Sequence, residues 1–102
     1  MVPESHELDP NNAGRHIFLG ALLAKKGDFA GAETSHRKAI RCSEGRVDEA
    51  YLNLGLVLRA QEHYKEALAC FERAIEMTPD YREAITKKAD LEKAIAYLHA
   101  EA

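Results

Sequence analysis

The sequence predicts an all-α fold, a right-handed α–α superhelix (solenoid) of two helix-pair repeats followed by a C-terminal capping helix. Three observations lead to this prediction. Apolar residues recur with the period of an α-helix, while no segment alternates with the period of a strand. The connections between the periodic segments are short, which favours antiparallel neighbours. The chain also matches itself at an offset of 35 residues.

Five helices are expected in order along the chain. They cover residues 13–26, 29–42, 48–61, 64–77 and 80–100. Asn11 or Asn12 can cap the first helix, and the dipeptide Gly27-Asp28 separates the first helix from the second. Pro79 ends the fourth helix, so the last helix restarts after it.

The clearest pattern lies between Asp48 and Pro79, where two helical segments each carry an apolar face. The first face consists of Tyr51, Leu54, Gly55 and Leu58. The second face consists of Ala67, Leu68, Phe71, Ala74 and Ile75. Large and small side chains alternate on both faces, as two closely packed antiparallel helices require.

The self-match shows that this helix pair occurs twice. The matched positions are Leu19-Gly20 with Leu54-Gly55, Leu23 with Leu58, Phe29 with Tyr64, Ala32 with Ala67, Ala39 with Ala74, and Ile40 with Ile75. One helix pair cannot bury its own apolar face, so we expect the two copies to stack.

The second copy resembles the tetratricopeptide repeat in the spacing of its aromatic and small residues and in its closing Pro79. The first copy departs from that family at His16 and His36, where a large apolar residue is usual, and has one extra residue in the loop Ser-Glu-Gly-Arg-Val. The small residues Gly55 and Ala67 are expected where helix backbones approach each other.

The resemblance implies a division of the chain into four parts. Residues 1–12 would be an irregular remnant of the end of an upstream repeat, 13–47 the first repeat, 48–81 the second repeat, and 82–102 the capping helix. The remnant reflects either excision from a longer solenoid or a vestigial start. The capping helix begins like a new repeat but has Lys88 where leucine is expected.

Composition narrows the class of protein. The 102 residues carry a net charge of −3, which argues against nucleic acid as the partner. No run approaches the roughly 18 apolar residues that a membrane span needs, and the N-terminus does not read as a secretory signal. Cys42 and Cys70 are interpreted as free thiols of a reducing compartment, so a cytoplasmic location is expected.

No catalytic or metal-binding motif is present in the sequence. There is no glycine-rich phosphate loop, nucleophile elbow, paired histidines or Cys-x-x-Cys. The five histidines are scattered, and the pair Ser35-His36 has no acid near it in sequence. We therefore expect no enzyme activity, no cofactor and no metal.

The resemblance implies a binding surface instead, because the first helix of each tetratricopeptide pair lines a concave face. The residues expected to contact a peptide there are Ile17, Ala21, Lys25, Leu52, Asn53, Leu56, Arg59 and Lys87. Leu52 and Leu56 are expected to be exposed, on the side of their helix away from the packing residues, and so are Ile17 and Ala21. Exposed apolar pairs of this kind indicate a partner or a self-contact.

Some tetratricopeptide domains grip a C-terminal carboxylate through a clamp of Lys and Asn. Asn53 and Lys87 occupy two of five clamp positions, but Ile17, Ala21 and Glu83 do not fit the other three. The sequence therefore disfavours that clamp.

The predicted function is a protein–protein interaction module, an adaptor or scaffold that binds a peptide or helix of a protein partner in its concave groove. Two alternatives remain open. The chain could be a self-assembling unit that forms a homo-oligomer by repeat stacking, or a substrate-recruiting domain of a larger enzyme.

Overall fold

Five α-helices form the fold in the computed structural model, which describes residues 11–101. We number them α1 (Ala13–Lys25), α2 (Phe29–Ala39), α3 (Val47–Ala60), α4 (Tyr64–Met77) and α5 (Arg82–Glu101). No strand occurs in this range; a single isolated bridge joins Asn12 and Glu44. The predicted all-α class and the order of its helices are confirmed. The remnant predicted over residues 1–12 lies almost wholly outside the described residues.

Local capping explains where the first two helices start. The side chain of Asn12 accepts a hydrogen bond from the backbone N–H of Gly14 at 2.8 Å, so Asn12 caps α1. Asp28 caps α2 in the same way and accepts from Gly31 at 2.9 Å. Between them Gly27 has a φ of +87°, a left-handed conformation that ends α1.

Two predicted helix ends are wrong by two or three residues, and tight turns explain both; the others lie within one residue. The second helix ends at Ala39 rather than at residue 42, because the N–H of Cys42 bonds to Ala39 in a three-residue step rather than a helical four-residue step. The last helix starts at Arg82 rather than at residue 80, because the N–H of Tyr81 closes a turn onto the carbonyl of Thr78 at 2.9 Å.

The helices pack in the order that a solenoid requires. α1 packs most extensively on α2, and α3 on α4. The two pairs stack through α2 against α3 and, to a smaller extent, α1 against α3, while α5 covers α4. The result is elongated, with extents of 57 × 30 × 17 Å. Each pair contacts only its neighbours, as in other repeat proteins.

The apolar faces predicted between residues 48 and 79 form the larger of two buried clusters. Leu54, Leu58, Ala67, Phe71 and Ala74 are fully buried in it, together with residues of α5. Burial of a ring such as that of Phe71 stabilises the fold by about 1.5–3 kcal/mol. The smaller cluster joins α1, α2 and α3 and consists of Ala13, Ile17, Ala39 and Ala50.

Gly55 is small for a different reason from the one expected. A Cβ at Gly55 would lie 2.5 Å from the ring of Phe71, so the glycine makes room for an aromatic ring rather than for a helix backbone. The equivalent pair in the first copy is Gly20 and His36, where the same distance is again 2.5 Å. The repeat has thus kept the geometry of the contact while the ring changed.

The loop with the extra residue is tied to the start of α1. The N–H of Ala13 donates to the carbonyl of Glu44 at 2.8 Å, and the N–H of Glu44 donates to the carbonyl of Asn11 at 3.0 Å. Gly45 has a φ of +95°, and a Cβ there would lie 3.0 Å from the backbone nitrogen of Ala13. The loop therefore requires glycine at this position, both for its conformation and for the close approach.

Candidate functional site

A groove runs between α1 and α3 and contains two hollows. The first hollow, of about 610 Å³, lies toward the N-terminal ends of the two helices. The second hollow, of about 340 Å³, lies toward their C-terminal ends. Ala21 and Asn53 line both hollows, so the two form one continuous surface, which we call the α1–α3 groove.

Five of the eight side chains expected to contact a peptide line this groove. They are Ile17, Ala21, Lys25, Asn53 and Leu56. Ala21 and Lys25 are exposed, while Asn53 and Leu56 are half-buried. The small Ala21 leaves the middle of the groove open.

The expectation that Leu52 and Ile17 are exposed is wrong. Leu52 is 2% exposed and lies in the larger core cluster, and Ile17 is 9% exposed. These two residues are equivalent in the repeat, and each is covered by the first helix that follows. Ile17 shares its cluster with Ala50 of α3, and Leu52 shares its cluster with residues of α5. Leu52 therefore supports the fold and is removed from the candidate site.

Arg59 and Lys87 lie outside the two hollows. Arg59 is half-buried in the last turn of α3, where a cation suits the helix dipole. Lys87 is half-buried on α5, one helix further along the stack. Neither belongs to the lining of the groove.

The structure adds lining residues that the sequence did not single out as contacts. Phe18 and Arg46 line the first hollow, and His36 and Val57 line the second. His36 comes from α2, the second helix of its pair. The repeat gives the signal that could have found it, because His36 aligns with Phe71, whose ring points at the first helix of its own pair.

His36 is polar but uncharged in this setting. Its side chain is 1% exposed, and its Nδ1 atom has no hydrogen-bond partner within the described part of the chain. Burial lowers the pKa of the imidazole to about 4, so the ring is neutral near pH 7. His36 therefore adds no charge to the second hollow, whose lining also includes Lys25.

The cations beside the groove differ in how they are engaged. Arg46 donates from Nε to Asp48 at 2.9 Å, and its guanidinium lies 5.4 Å from the ring centre of Tyr81. Lys25 is exposed in the last turn of α1 and lines the second hollow. An acidic group of a partner would therefore meet Lys25 more readily than Arg46, which already has a carboxylate.

Other chemistry finds little support in residues 11–101. No group of three or more His, Cys, Asp or Glu side chains in this range is placed to hold a metal ion. Burial raises the pKa of the Cys70 thiol to about 11, so the thiol is protonated and poorly nucleophilic near pH 7. In the same range, no helix combines the length and the apolar character that crossing a bilayer takes.

Comparison with known families decides the affiliation of the chain. The family model for the tetratricopeptide repeat matches residues 15–80, which comprise nearly all of α1 through to the end of α4. The chain belongs to the tetratricopeptide repeat family. A comparison with curated proteins found no match. Tetratricopeptide repeats are generally protein-interaction modules and are typically non-catalytic.

Proposed function

We propose that the α1–α3 groove binds a peptide segment or a helix of a protein partner, so that this tetratricopeptide chain acts as an adaptor or scaffold. The observation that carries the proposal is the continuity of the two hollows through Ala21 and Asn53. A surface that is concave, largely apolar and furnished with a few polar groups is the usual form of a binding site.

The groove offers separate contacts for the apolar and polar parts of a peptide. Phe18, Ala21 and Leu56 would take apolar side chains. The amide of Asn53 can both donate to and accept from a peptide backbone. Lys25 would pair with an acidic side chain, and Arg59 and Lys87 would extend the contact along the stack.

The size of the groove limits affinity and leaves the binding mode open. A helix of 13 residues such as α1 is roughly 20 Å long, which accommodates roughly six residues of an extended peptide or a short helix. Both extended and helical recognition fit this length. An interface of this size gives a dissociation constant on the order of micromolar.

The first testable prediction concerns Ala21, which lies where the two hollows meet. Peptides selected from a displayed random library against the wild-type protein are expected to bind Ala21→Trp at least about tenfold more weakly, because an indole would fill the middle of the groove. Binding is measured by isothermal titration calorimetry with the selected peptides.

Ala69→Trp provides a matched control, because Ala69 is exposed on α4 and lies outside the groove. This variant adds the same side chain and is expected to bind the peptides like the wild type. Helicity of both variants is checked by circular dichroism. Equal peptide binding by Ala21→Trp and Ala69→Trp would contradict the groove as the binding site.

A second candidate function, self-assembly, is favoured by one specific observation. Phe18, Leu19 and Leu22 on α1 are 67%, 47% and 43% exposed, although they are large and apolar. Such a patch marks an interaction surface.

A cytoplasmic location also belongs to the proposal. It is supported by Cys42 and Cys70, neither of which forms a disulfide within the described residues.

A further inference from the structure

The exposed apolar residues of α1 form, together with Arg15, one continuous stripe. Arg15, Phe18, Leu19 and Leu22 are spaced so that they lie along one side of the helix, and we call this set the α1 stripe. All four residues are exposed. The stripe lies on a different side of α1 from the buried residues Ala13, Ile17 and Gly20.

The positions equivalent to the stripe in α3 and α5 indicate its role. The equivalent residues of α3 are Ala50, Asn53, Leu54 and Val57, and those of α5 are Ala84, Lys87, Lys88 and Leu91. Leu54, Val57 and Leu91 are nearly or fully buried, and the preceding helix, α2 or α4, packs against the helix that carries them. On α1 no described helix covers the stripe, so within residues 11–101 it is an exposed surface of the kind that stacks on another helix pair.

An apolar groove lies at the other end of the helix order. It has a volume of about 620 Å³ and lies between the start of α4 and the end of α5; we call it the α4–α5 groove. Tyr64, Leu68, Ile95 and Leu98 provide its apolar lining. Leu98 is 46% exposed there, so the groove can receive an apolar side chain from another molecule.

The two surfaces lie in segments of opposite net charge. Helix α1 (residues 13–25) contains two Lys and Arg and no acidic residue, whereas residues 64–101, which hold the α4–α5 groove, contain six Lys and Arg against eight acidic residues. The helix with the α1 stripe is therefore basic, and the segment with the α4–α5 groove is weakly acidic. Opposite charges on the two ends of one chain favour contact between the head of one copy and the tail of another.

We propose that copies of this chain associate head to tail, with the α1 stripe of one copy docked on the α4–α5 groove of the next. The inference rests on the second candidate function, self-assembly, for which it names the two contacting surfaces, and it does not depend on peptide binding. A patch that fits a pocket elsewhere on the same molecule makes a heterologous contact, which extends to further copies unless the ring closes.

A symmetric contact between two α1 helices fits the charges less well. Residues 13–25 carry Arg15 and Lys25 and no acidic residue, so pairing of α1 with its own copy would bring like charges together. A dissociation constant in the range of about 10 µM to 1 mM is expected for so small an apolar patch.

The test starts with sedimentation velocity of the wild-type chain between about 10 µM and 1 mM, which spans that range. The weight-average mass is expected to rise with concentration, and to rise less at high salt because the contact joins the basic helix α1 to a weakly acidic segment. A chain that stays monomeric throughout this range at low salt overturns the proposal.

Charged substitutions then locate the two surfaces. Leu19→Glu and Leu22→Glu act on the stripe without touching the α1–α3 groove, and Leu98→Glu acts on the α4–α5 groove. Each is expected to weaken association at least about tenfold, since a carboxylate would be buried in the contact. Thr34→Glu on the exposed side of α2 and Tyr97→Glu, adjacent to Leu98 but outside its groove, are the controls and should associate like the wild type.

Mixing the variants distinguishes head-to-tail association from every symmetric arrangement. Leu22→Glu retains an intact α4–α5 groove, and Leu98→Glu retains an intact stripe. At a concentration near the wild-type dissociation constant, each alone should remain monomeric, while their mixture should form a heterodimer that grows no further. The absence of that heterodimer, or association that survives either substitution, overturns the proposal and leaves a symmetric contact or a different protein as the occupant of the stripe.

Peptide binding and self-association can fail separately. Phe18 belongs to both surfaces, but Ala21 lines only the α1–α3 groove and Leu22 lies only on the stripe. Wild-type association by Ala21→Trp together with wild-type peptide binding by Leu22→Glu would show that binding and association use different residues of α1.

Discussion

At the scale of the residue, the two copies of the repeat differ most at the ring that fills the space beside a glycine. Phe71 occupies that place in the second copy, and its apolar ring needs no hydrogen bond. His36 occupies it in the first copy with one ring nitrogen unpartnered. A buried polar atom without a partner costs about 1–3 kcal/mol. The first copy therefore carries a local cost that the second does not.

His36→Phe is expected to raise the free energy of unfolding by about 1–3 kcal/mol at pH 7, because it removes the unpartnered nitrogen and keeps an aromatic ring against Gly20. The gain is measured by urea denaturation followed by circular dichroism. The reverse change, Phe71→His, should lower the stability by a similar amount. Destabilisation by His36→Phe would show that the hollow beside Gly20 does not fit a benzene ring.

Acid should affect the wild type and His36→Phe differently. The pKa of His36 is lowered by burial from 6.5 to about 4, so between these values the unfolded chain binds a proton that the folded chain excludes. Stability linked to His36 is therefore complete above about pH 6.5 and declines as the pH falls toward 4. His36→Phe should lack this decline, whereas His99→Gln at an exposed position should retain it.

The turn that follows the first helix of each pair contains one residue with a positive φ, and the type of this residue differs between the two copies. Gly27 has a φ of +87°, and Glu62, its equivalent after α3, has a φ of +68°. A residue with a Cβ is strained in this region, and glycine is not.

Glu62→Gly is expected to stabilise the fold by about 0.5–1 kcal/mol, and Gly27→Ala to destabilise it by about 1 kcal/mol. No atom lies within 4 Å of a Cβ built at Gly27, so the loss would be conformational rather than steric. Thermal unfolding compares both variants with Glu62→Ala, which keeps the strain and should unfold near the wild-type temperature.

At the scale of the element, Asp48 links α3 and α4, the two helices of the second pair, at one end. Its carboxylate accepts from the hydroxyl of Thr78 at 2.6 Å, from the N–H of Glu49 at 2.8 Å and from Arg46 at 2.9 Å. The hydrogen bond from Arg46 lowers the pKa of Asp48, and the bonds from Thr78 and Glu49 add to this effect. The start of α3 and the end of α4 are thereby joined across 30 residues of sequence.

Asp48→Asn is expected to cost about 1–3 kcal/mol at pH 7, because the amide keeps the shape but cannot accept all three bonds as a charged group. A carboxylate with a lowered pKa stabilises the fold above its ordinary value of 3.8 and loses that effect as the pH falls through the folded value. Denaturation at pH 7 and pH 3 should therefore show a smaller difference between wild type and Asp48→Asn at pH 3. Asp80→Asn at an exposed position serves as the control, and an equal cost at both pH values would argue against the charged pairing.

The helices and their stacking could be predicted from sequence, whereas the exposed sides of the helices could be predicted only in part. Leu54 and Ala74 recur with helical period and with the period of the repeat, so two independent patterns assign them to the core. Leu52 lies one helical turn before Leu56, so the sequence alone predicts that both lie on the same exposed side of α3. Only the packed arrangement shows that the following first helix covers Leu52 and leaves Leu56 at the groove.

At the scale of the whole molecule, the position of a helix in the stack decides whether a given residue is buried. Leu19 and Leu54 match in sequence, yet Leu19 is exposed and Leu54 is buried, because a helix pair precedes α3 and no described helix pair precedes α1. Nothing in either residue encodes this difference. The candidate groove could be assigned to α1 and α3 from the resemblance. That His36 of α2 also lines it could be recognised only from the structure, in which its ring lies against Gly20 of α1.

The hydrogen bonds between Glu44 and the chain at the start of α1 have a consequence for the evolution of such a protein. The chain leaves the first helix pair beside the point at which it began that pair, since Glu44 is hydrogen-bonded to Asn11 and Ala13. A tandem duplication or deletion of one helix pair would therefore rejoin ends that already lie side by side. The length of the solenoid can change in whole helix pairs while the flanking pairs keep their places.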